Sequence, residues 1–383
     1  VATKSDDVGR TWRDVAVVYD GRESRCFDEC LWIDPAGRLW LFWSRMPAFD
    51  VCAAVCEQPD EAKLRWSDPV RIGAEVMMNK PIVLRDGRWL LPAAVWDARV
   101  SALTGFCSEK KDRRAFAVES SDNGVSFRRI GGVAVPERSF DEHMFLERRD
   151  GRIAVYVRTH YGIAMAFSSD GGRNWSQGKD SGIGGPDSRF FIRRLKSGNV
   201  LLVNHVRFSG RNNLTAMLSR DDGETFEGGL LLDERAEVSY PDGVEDDDGY
   251  IYVAYDRERG AFKRSLAENQ AAAREILFAK FTEADVLAGK LTDCGACGGL
   301  QTRGYARGCF APARLNACGA RRKISVCKAG FRPFGAERRR TGRSPKTPSG
   351  RIRTERNTVC TAPERKTAKT SARRGNISAR GGG

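Results

Sequence analysis

The chain has no run approaching eighteen apolar residues, so the sequence predicts no membrane-spanning helix and a soluble protein. Histidine is nearly absent: there are 3 in 383 residues, His143, His160 and His205, and their spacing forms no metal triad. Cys294-Gly-Ala-Cys297 lacks the second Cys or His pair that a zinc site needs, so no metal or other cofactor is expected. Five of the 11 cysteines, Cys26, Cys30, Cys52, Cys56 and Cys107, precede residue 290. An odd set at those spacings reads as small apolar fillers, not as a disulfide frame. No secretory leader is visible, yet Val1 falls in the middle of a recurring motif, which suggests that segments preceding it are missing.

The net charge of +14 would suggest a nucleic-acid partner if it were evenly spread. It is not. Residues 291–383 hold 22 Lys and Arg against 4 Asp and Glu, leaving 42 against 46 in residues 1–290. The body is slightly acidic and no nucleic-acid function is expected of it. The basic segment is poor in aliphatic residues and rich in Arg, Gly, Ser, Thr and Pro. It cannot bury enough apolar surface to offset its ordering entropy, so it reads as a disordered or non-native tail. Taken alone it could bind polyanions without specificity.

What is abundant is a repeat. Ser5-Asp6-Asp7-Val8-Gly9-Arg10-Thr11-Trp12 fits Ser-x-Asp-x-Gly-x-Thr-Trp. Residues 120–127, 168–175 and 219–226 fit it too, with Phe, Trp and Phe in the last place, and Trp66-Ser67-Asp68 reads as a decayed copy. Such a segment makes a hairpin turn: the Asp accepts backbone N–H bonds, the Gly takes positive φ and the aromatic packs between sheets. These aspartates are architecture. Turns at Gly37, Gly87, Gly151, Gly198 and Gly249 recur at spacings of 50, 64, 47 and 51 residues. That period, with alternating strands between turns, is that of four-stranded propeller blades. The expectation is an all-β six-bladed β-propeller over residues 1–290, with blade one truncated at its N-terminus, followed by the tail at 291–383.

In a propeller the innermost strands share one rim. Their first residues here are Asp28-Glu29, Asn79-Lys80, Asp141-Glu142-His143, Asp187-Ser188-Arg189 and Tyr240 with Asp242. Second strands end near the same rim at Ser44-Arg45, Trp96-Asp97, Arg158, His205 and Asp256. Charges converging on one mouth point to a small-molecule site.

The aspartate motif, once per blade, resembles the Asp boxes of the sialidase (neuraminidase) superfamily and its bacterial BNR-repeat relatives. Ser239-Tyr240-Pro241-Asp242-Gly243 and Arg274-Glu275-Ile276-Leu277 resemble that family's closing blade. The resemblance implies a retaining exo-glycoside hydrolase that releases a terminal anionic sugar, sialic acid first. It implies a nucleophile at Tyr240, a base at Glu142 and a carboxylate clamp containing Arg158 and Arg211, with Arg207 in reserve. A phenol suits an anionic substrate because it avoids the charge repulsion an attacking carboxylate would meet. Arg189, His205 and Asp242 are further candidate substrate contacts. The family's first arginine and acid/base Asp belong to the front of blade one; Arg25 and Asp50 have a similar spacing but fall in blade two. Two alternatives stay open: a glycosidase acting on a uronic acid or another glycan, and a non-catalytic carbohydrate-binding propeller or inactive fragment.

Overall fold

The computed structural model describes residues 2–6, 11, 13–16, 18–19, 24–96, 112–140, 142–258 and 275–292. All lie in the first of two units of the chain, Val1–Phe331. The copy of the motif at 5–12, Asp141, Cys107 and, beyond Thr292, the basic segment fall wholly or mainly outside them.

The elements run in chain order as six antiparallel sheets. β1 (Ala2–Lys4) pairs with β2 (Arg13–Ala16) alone. β3 (Arg25–Ile33), β4 (Leu39–Met46), β5 (Asp50–Cys56) and β6 (Val70–Gly73) form the first full blade. β7 (Val76–Met77) and β8 (Ile82–Val83) both pair with β9 (Trp89–Ala94), followed by β10 (Ala115–Ser120) and β11 (Arg128–Val133). The third is β12 (Met144–Glu147), β13 (Ile153–Thr159), β14 (Gly162–Ser168) and β15 (Lys179–Gly184). The fourth is β16 (Phe191–Arg194), β17 (Val200–His205), β18 (Leu214–Ser219) and β19 (Glu227–Asp233). The last is β20 (Val238–Glu245), β21 (Ile251–Arg257) and β22 (Glu275–Phe281), after which α1 (Glu283–Ala288) is capped by Thr282 and Asp285. The described residues thus give five blades where the repeat predicts six. β1 and β2 make only a two-stranded sheet, too little to count as a blade.

The turn glycines explain the period. Gly37, Gly87, Gly151, Gly198 and Gly249 all have φ between 79° and 89°, where a side chain would be strained. Each closes a hairpin by donating its N–H to the carbonyl three residues before, as Gly151 does to Arg148 at 3.0 Å. The core lies between blades. Leu146, Phe191 and Val253 belong to one cluster spanning three sheets, while Trp32, Trp40 and Trp89 join the first two. Second strands such as β9, β13 and β17 are buried on both faces, so their sequences are continuously apolar. No helix among the described residues is long and apolar enough to cross a membrane.

The three fully described aspartate motifs are superimposable in their bonds. Ser120, Ser168 and Ser219 each donate Oγ–H to the Asp two residues on and accept from a Gly N–H at 2.9, 2.9 and 2.7 Å. The Asp in turn accepts the backbone N–H four residues later, at 2.9 Å in all three. The segment at 66–68 is a partial copy. Ser67 bonds Val55 as Ser176 bonds Phe167, which puts Trp66 where Trp175 stands.

Asp170→Ala is therefore expected to lower stability by roughly 1–3 kcal/mol, the loss of a few hydrogen bonds at an exposed turn, without changing ligand affinity. Thermal unfolding beside a binding titration checks this. Lost affinity at unchanged stability would place the motif in the site.

Candidate active site

Tyr240 sits on a bulge. Ser239 pairs with Asp256 and Asp242 with Ala254, so β20 carries one residue more than β21 there, and Tyr240 takes φ 57°. A tyrosine at positive φ costs on the order of 1–3 kcal/mol, the kind of strain that re-aims a side chain. β3 repeats the device: Asp28, φ 53°, occupies the equivalent bulge between Phe27 and Cys30. Next to Tyr240 in the strand, Ser239 Oγ donates to Asp256 at 2.6 Å and is buried.

Three blades bring one cluster together. Glu142, just before β12, and Arg158, at the end of β13, are 1% and 2% exposed. Arg158 Nη1 donates to Glu142 Oε2 at 2.7 Å and to the Tyr240 hydroxyl at 3.3 Å. Burial alone would raise the Glu142 carboxyl. The positive field of Arg158, then that of Arg189, with hydrogen bonds from Arg158 and the Tyr240 hydroxyl, override this and hold it at about 2. Glu142 is thus an anion at every ordinary pH.

The other edge of Arg158 faces Asp187. Its Nε donates to Asp187 Oδ1 at 2.6 Å and its Nη2 to the Asp187 carbonyl at 3.0 Å. Arg211 Nη2 reaches the same carbonyl at 2.8 Å, which brings Arg158 and Arg211 together on Asp187. Ser139 and His160 complete the Asp187 carboxylate at 2.6 and 2.9 Å. Arg189 and Arg211 lie with their guanidinium carbons 5.3 and 5.6 Å from the Tyr240 ring centre. Asp242 binds Lys80 at 2.7 Å.

Sequence reasoning placed Asp187 on the rim but gave it no role, and missed Ser139. Position before β16 was the signal for the first; nothing local marked the second. Asp50, which the sequence already assigned to blade two, is fixed by Arg45 and Arg71, at 2.7 and 3.0 Å. Two other expectations need correction. His143 is no rim group: it is buried between blades, its Nε2 2.9 Å from the Phe116 carbonyl. His205 is buried as well, with Nδ1–H donating to the Asn212 carbonyl at 2.7 Å and Nε2 left as an acceptor without a partner among the described residues.

Burial takes His205 from the ordinary 6.5 to about 4, the Asn212 carbonyl pulling the other way and Arg211 adding to the fall. Between these values the folded protein binds fewer protons than the unfolded chain, so stability should rise with pH from about 4 to 6.5. The amount is on the order of 2–3 kcal/mol, and His205→Gln should flatten it. Chemical denaturation at stepped pH measures both; an unchanged slope in the variant would assign the effect elsewhere.

A separate hollow of about 470 Å³ is lined by Arg114, Arg129, Arg173 and Trp175, among others, and shares no residue with the cluster. Its arginines are engaged by Asp112, Glu75 and Glu119, so it is a packed surface of ion pairs.

No match is found among curated proteins. Among solved structures, a protein of unknown function from Dyadobacter fermentans aligns with TM-score 0.53 and 19% identity, over 67% of this chain and 78% of that one. The Hadza microbial sialidase Hz136 aligns with TM-score 0.53 and 18% identity, over 66% of this chain and 56% of its own, so the chain spans little more than half of that enzyme. At such identities the likeness is one of fold. Residues 1–253, carrying the aspartate motifs and Tyr240, match the BNR repeat-like domain, and the chain belongs to that family of sialidase-like propellers.

Proposed function

We propose that this protein is an exo-glycoside hydrolase of the sialidase type that releases a terminal anionic sugar with retention of configuration. The observation carrying the proposal is the hydrogen-bonded bridge from one Arg158 nitrogen to Glu142 and Tyr240, residues from different blades and 82 positions apart between Arg158 and Tyr240. Tyr240 is the nucleophile and Glu142 its base. A carboxyl held at about 2 is a weak base, so full proton transfer ahead of attack would be strongly uphill. The phenolic proton instead passes to Glu142 as the oxygen bonds to the anomeric carbon and the aglycone leaves. The aglycone departs as an anion, which an activated leaving group tolerates. Water then attacks the anomeric carbon of the glycosyl-tyrosine, Glu142 returns its proton to the departing phenolate oxygen, and the proton lost by water goes to solvent, where it balances the aglycone anion.

Arg211, half-buried at the mouth, takes the sugar carboxylate with Arg158 behind it, and planar guanidinium forks suit that group better than a lysine would. Arg189, His205 and Asp242 shape the floor through the Tyr240 ring, the Asn212 loop and Lys80. β1 and β2 are read as strands of a first blade, making a ring of six. One observation favours a different glycan: the Asp187 carboxylate already occupies the Nε edge of Arg158 and is itself 32% exposed.

Aryl glycosides test both readings, because an activated leaving group needs no acid. The sialoside should be cleaved, and Tyr240→Phe should abolish cleavage while keeping affinity for an anionic sugar analogue. Cleavage of a uronide or neutral glycoside instead would favour the second reading. Absence of both turnover and binding with all of these compounds would overturn the proposal.

A further inference from the structure

Next to the Tyr240 ring lies a second set of charges, of which the sugar chemistry makes no direct use. Lys80, Arg189, Arg193 and Asp242 all act on the buried Cys30 thiol, so groups from four blades share one interior. Burial pushes that thiol up to about 11, Lys80 opposing and Asp242 adding to the rise.

Among the described residues the cations there outnumber their counter-ions. Lys80 Nζ is committed to Asp242 Oδ2 at 2.7 Å and to the Leu31 carbonyl at 2.6 Å. Arg193 Nη1 donates to the Pro81 carbonyl at 3.1 Å, with no ion pair among the described residues, and burial lowers it, the direction of a cation short of negative charge. Arg189 is the extreme case. It is 1% exposed, has no ion pair, and its Nε and Nη1 have no hydrogen-bond partner among the described residues. Its supports are the face of Tyr240 and the more distant charges of Asp242, Glu142 and Asp28. Glu142 is already bound by Arg158.

Buried guanidinium donors left unsatisfied are costly, and a buried charge is kept only when compensated. Among the described residues that act on this interior, Lys80, Arg189 and Arg193 against Asp242 and Asp28 leave a single positive charge. We propose that the interior around Arg189 is a binding site for one small monovalent anion of the chloride type, held by the Nε and Nη1 hydrogens of Arg189 within the field of Lys80 and Arg193. A divalent oxyanion would overshoot the charge. The mouth is a separate place, since its arginines converge on Asp187 instead. The bound anion holds Arg189 under the Tyr240 ring, and the site stands whether or not the sugar chemistry does.

The test is thermal unfolding of the full chain in sodium chloride against sodium methanesulfonate at constant ionic strength, with anomalous scattering from bromide-soaked crystals. Chloride should raise Tm saturably, by roughly 4–8 °C at a hundred times its dissociation constant. Arg189→Met should lose the response and Arg211→Met should keep it. Bromide should appear as a peak against Arg189 Nε and Nη1. If Arg189→Met does not fold, the bromide peak in the unsubstituted protein and a weakened chloride response in Arg189→Lys decide. Equal Tm in both salts, an undiminished response in Arg189→Met, or bromide only at Arg211 would overturn the proposal. A peak without a saturable solution response marks an adventitious ion only and overturns it equally.

Discussion

Arg158→Met is expected to lower the free energy of unfolding by about 3–5 kcal/mol, the usual cost of breaking a buried ion pair from one side. Arg158 satisfies Glu142, the Asp187 carboxylate and the Asp187 carbonyl at once, and it is 2% exposed. Its removal strands Glu142, which is 1% exposed and whose Oε1 already lacks a partner among the described residues. Burial then pushes that carboxyl up, and it takes a proton instead of staying ionised. Removing Glu142 as well, in Arg158→Met/Glu142→Leu, should return part of the loss, since packed apolar groups often replace a buried pair without penalty. By contrast Lys196→Ala, which breaks an exposed bridge to Asp247, should leave Tm unchanged. Denaturant titration ranks the three. A small effect of Arg158→Met would mean the cluster is solvated and not a preorganised site.

Glu142→Gln is expected to reduce kcat by about 10²–10⁴-fold, the range for loss of a positioned general base. The amide keeps the shape and one hydrogen-bond acceptor for Arg158 but cannot take the Tyr240 proton. KM and the affinity for an unreactive sugar analogue should change little, because a proton acceptor acts in the transition state and not in the bound ground state. Rates with activated and poor leaving groups should fall together. Lost affinity with unchanged kcat would make Glu142 a sugar-binding group, with the base elsewhere.

Repetition made the architecture legible. Five glycines at positive φ and three identical Ser–Asp–Gly bond sets each need a specific residue, so each left a mark in the sequence. Glu142, Arg158 and Tyr240 could be placed because each begins or ends a strand in that repeat. The bulge at Tyr240 could not. It uses no glycine, and the same conformation at Asp28 shows that the strain comes from pairing with the next strand and not from residue type. The Asp187 web was equally hidden. Ser139, the Arg158–His160 end of β13 and Arg211 reach Asp187 from three separate segments, and only ring geometry brings them together. His143 misled for a related reason: a polar residue at a strand start can turn into the seam between blades, where Phe116 offers a carbonyl.

The central claim is that Tyr240 attacks the sugar. Its most direct test is mass spectrometry of the intact chain and its peptides after exposure to a fluorinated anionic glycoside, whose good leaving group speeds the first step while fluorine slows the second. The account predicts a single covalent glycosyl adduct on the peptide carrying Tyr240, absent from Tyr240→Phe. An adduct on a carboxylate such as Glu142 or Asp187, or product released with inversion and no adduct at all, would contradict it.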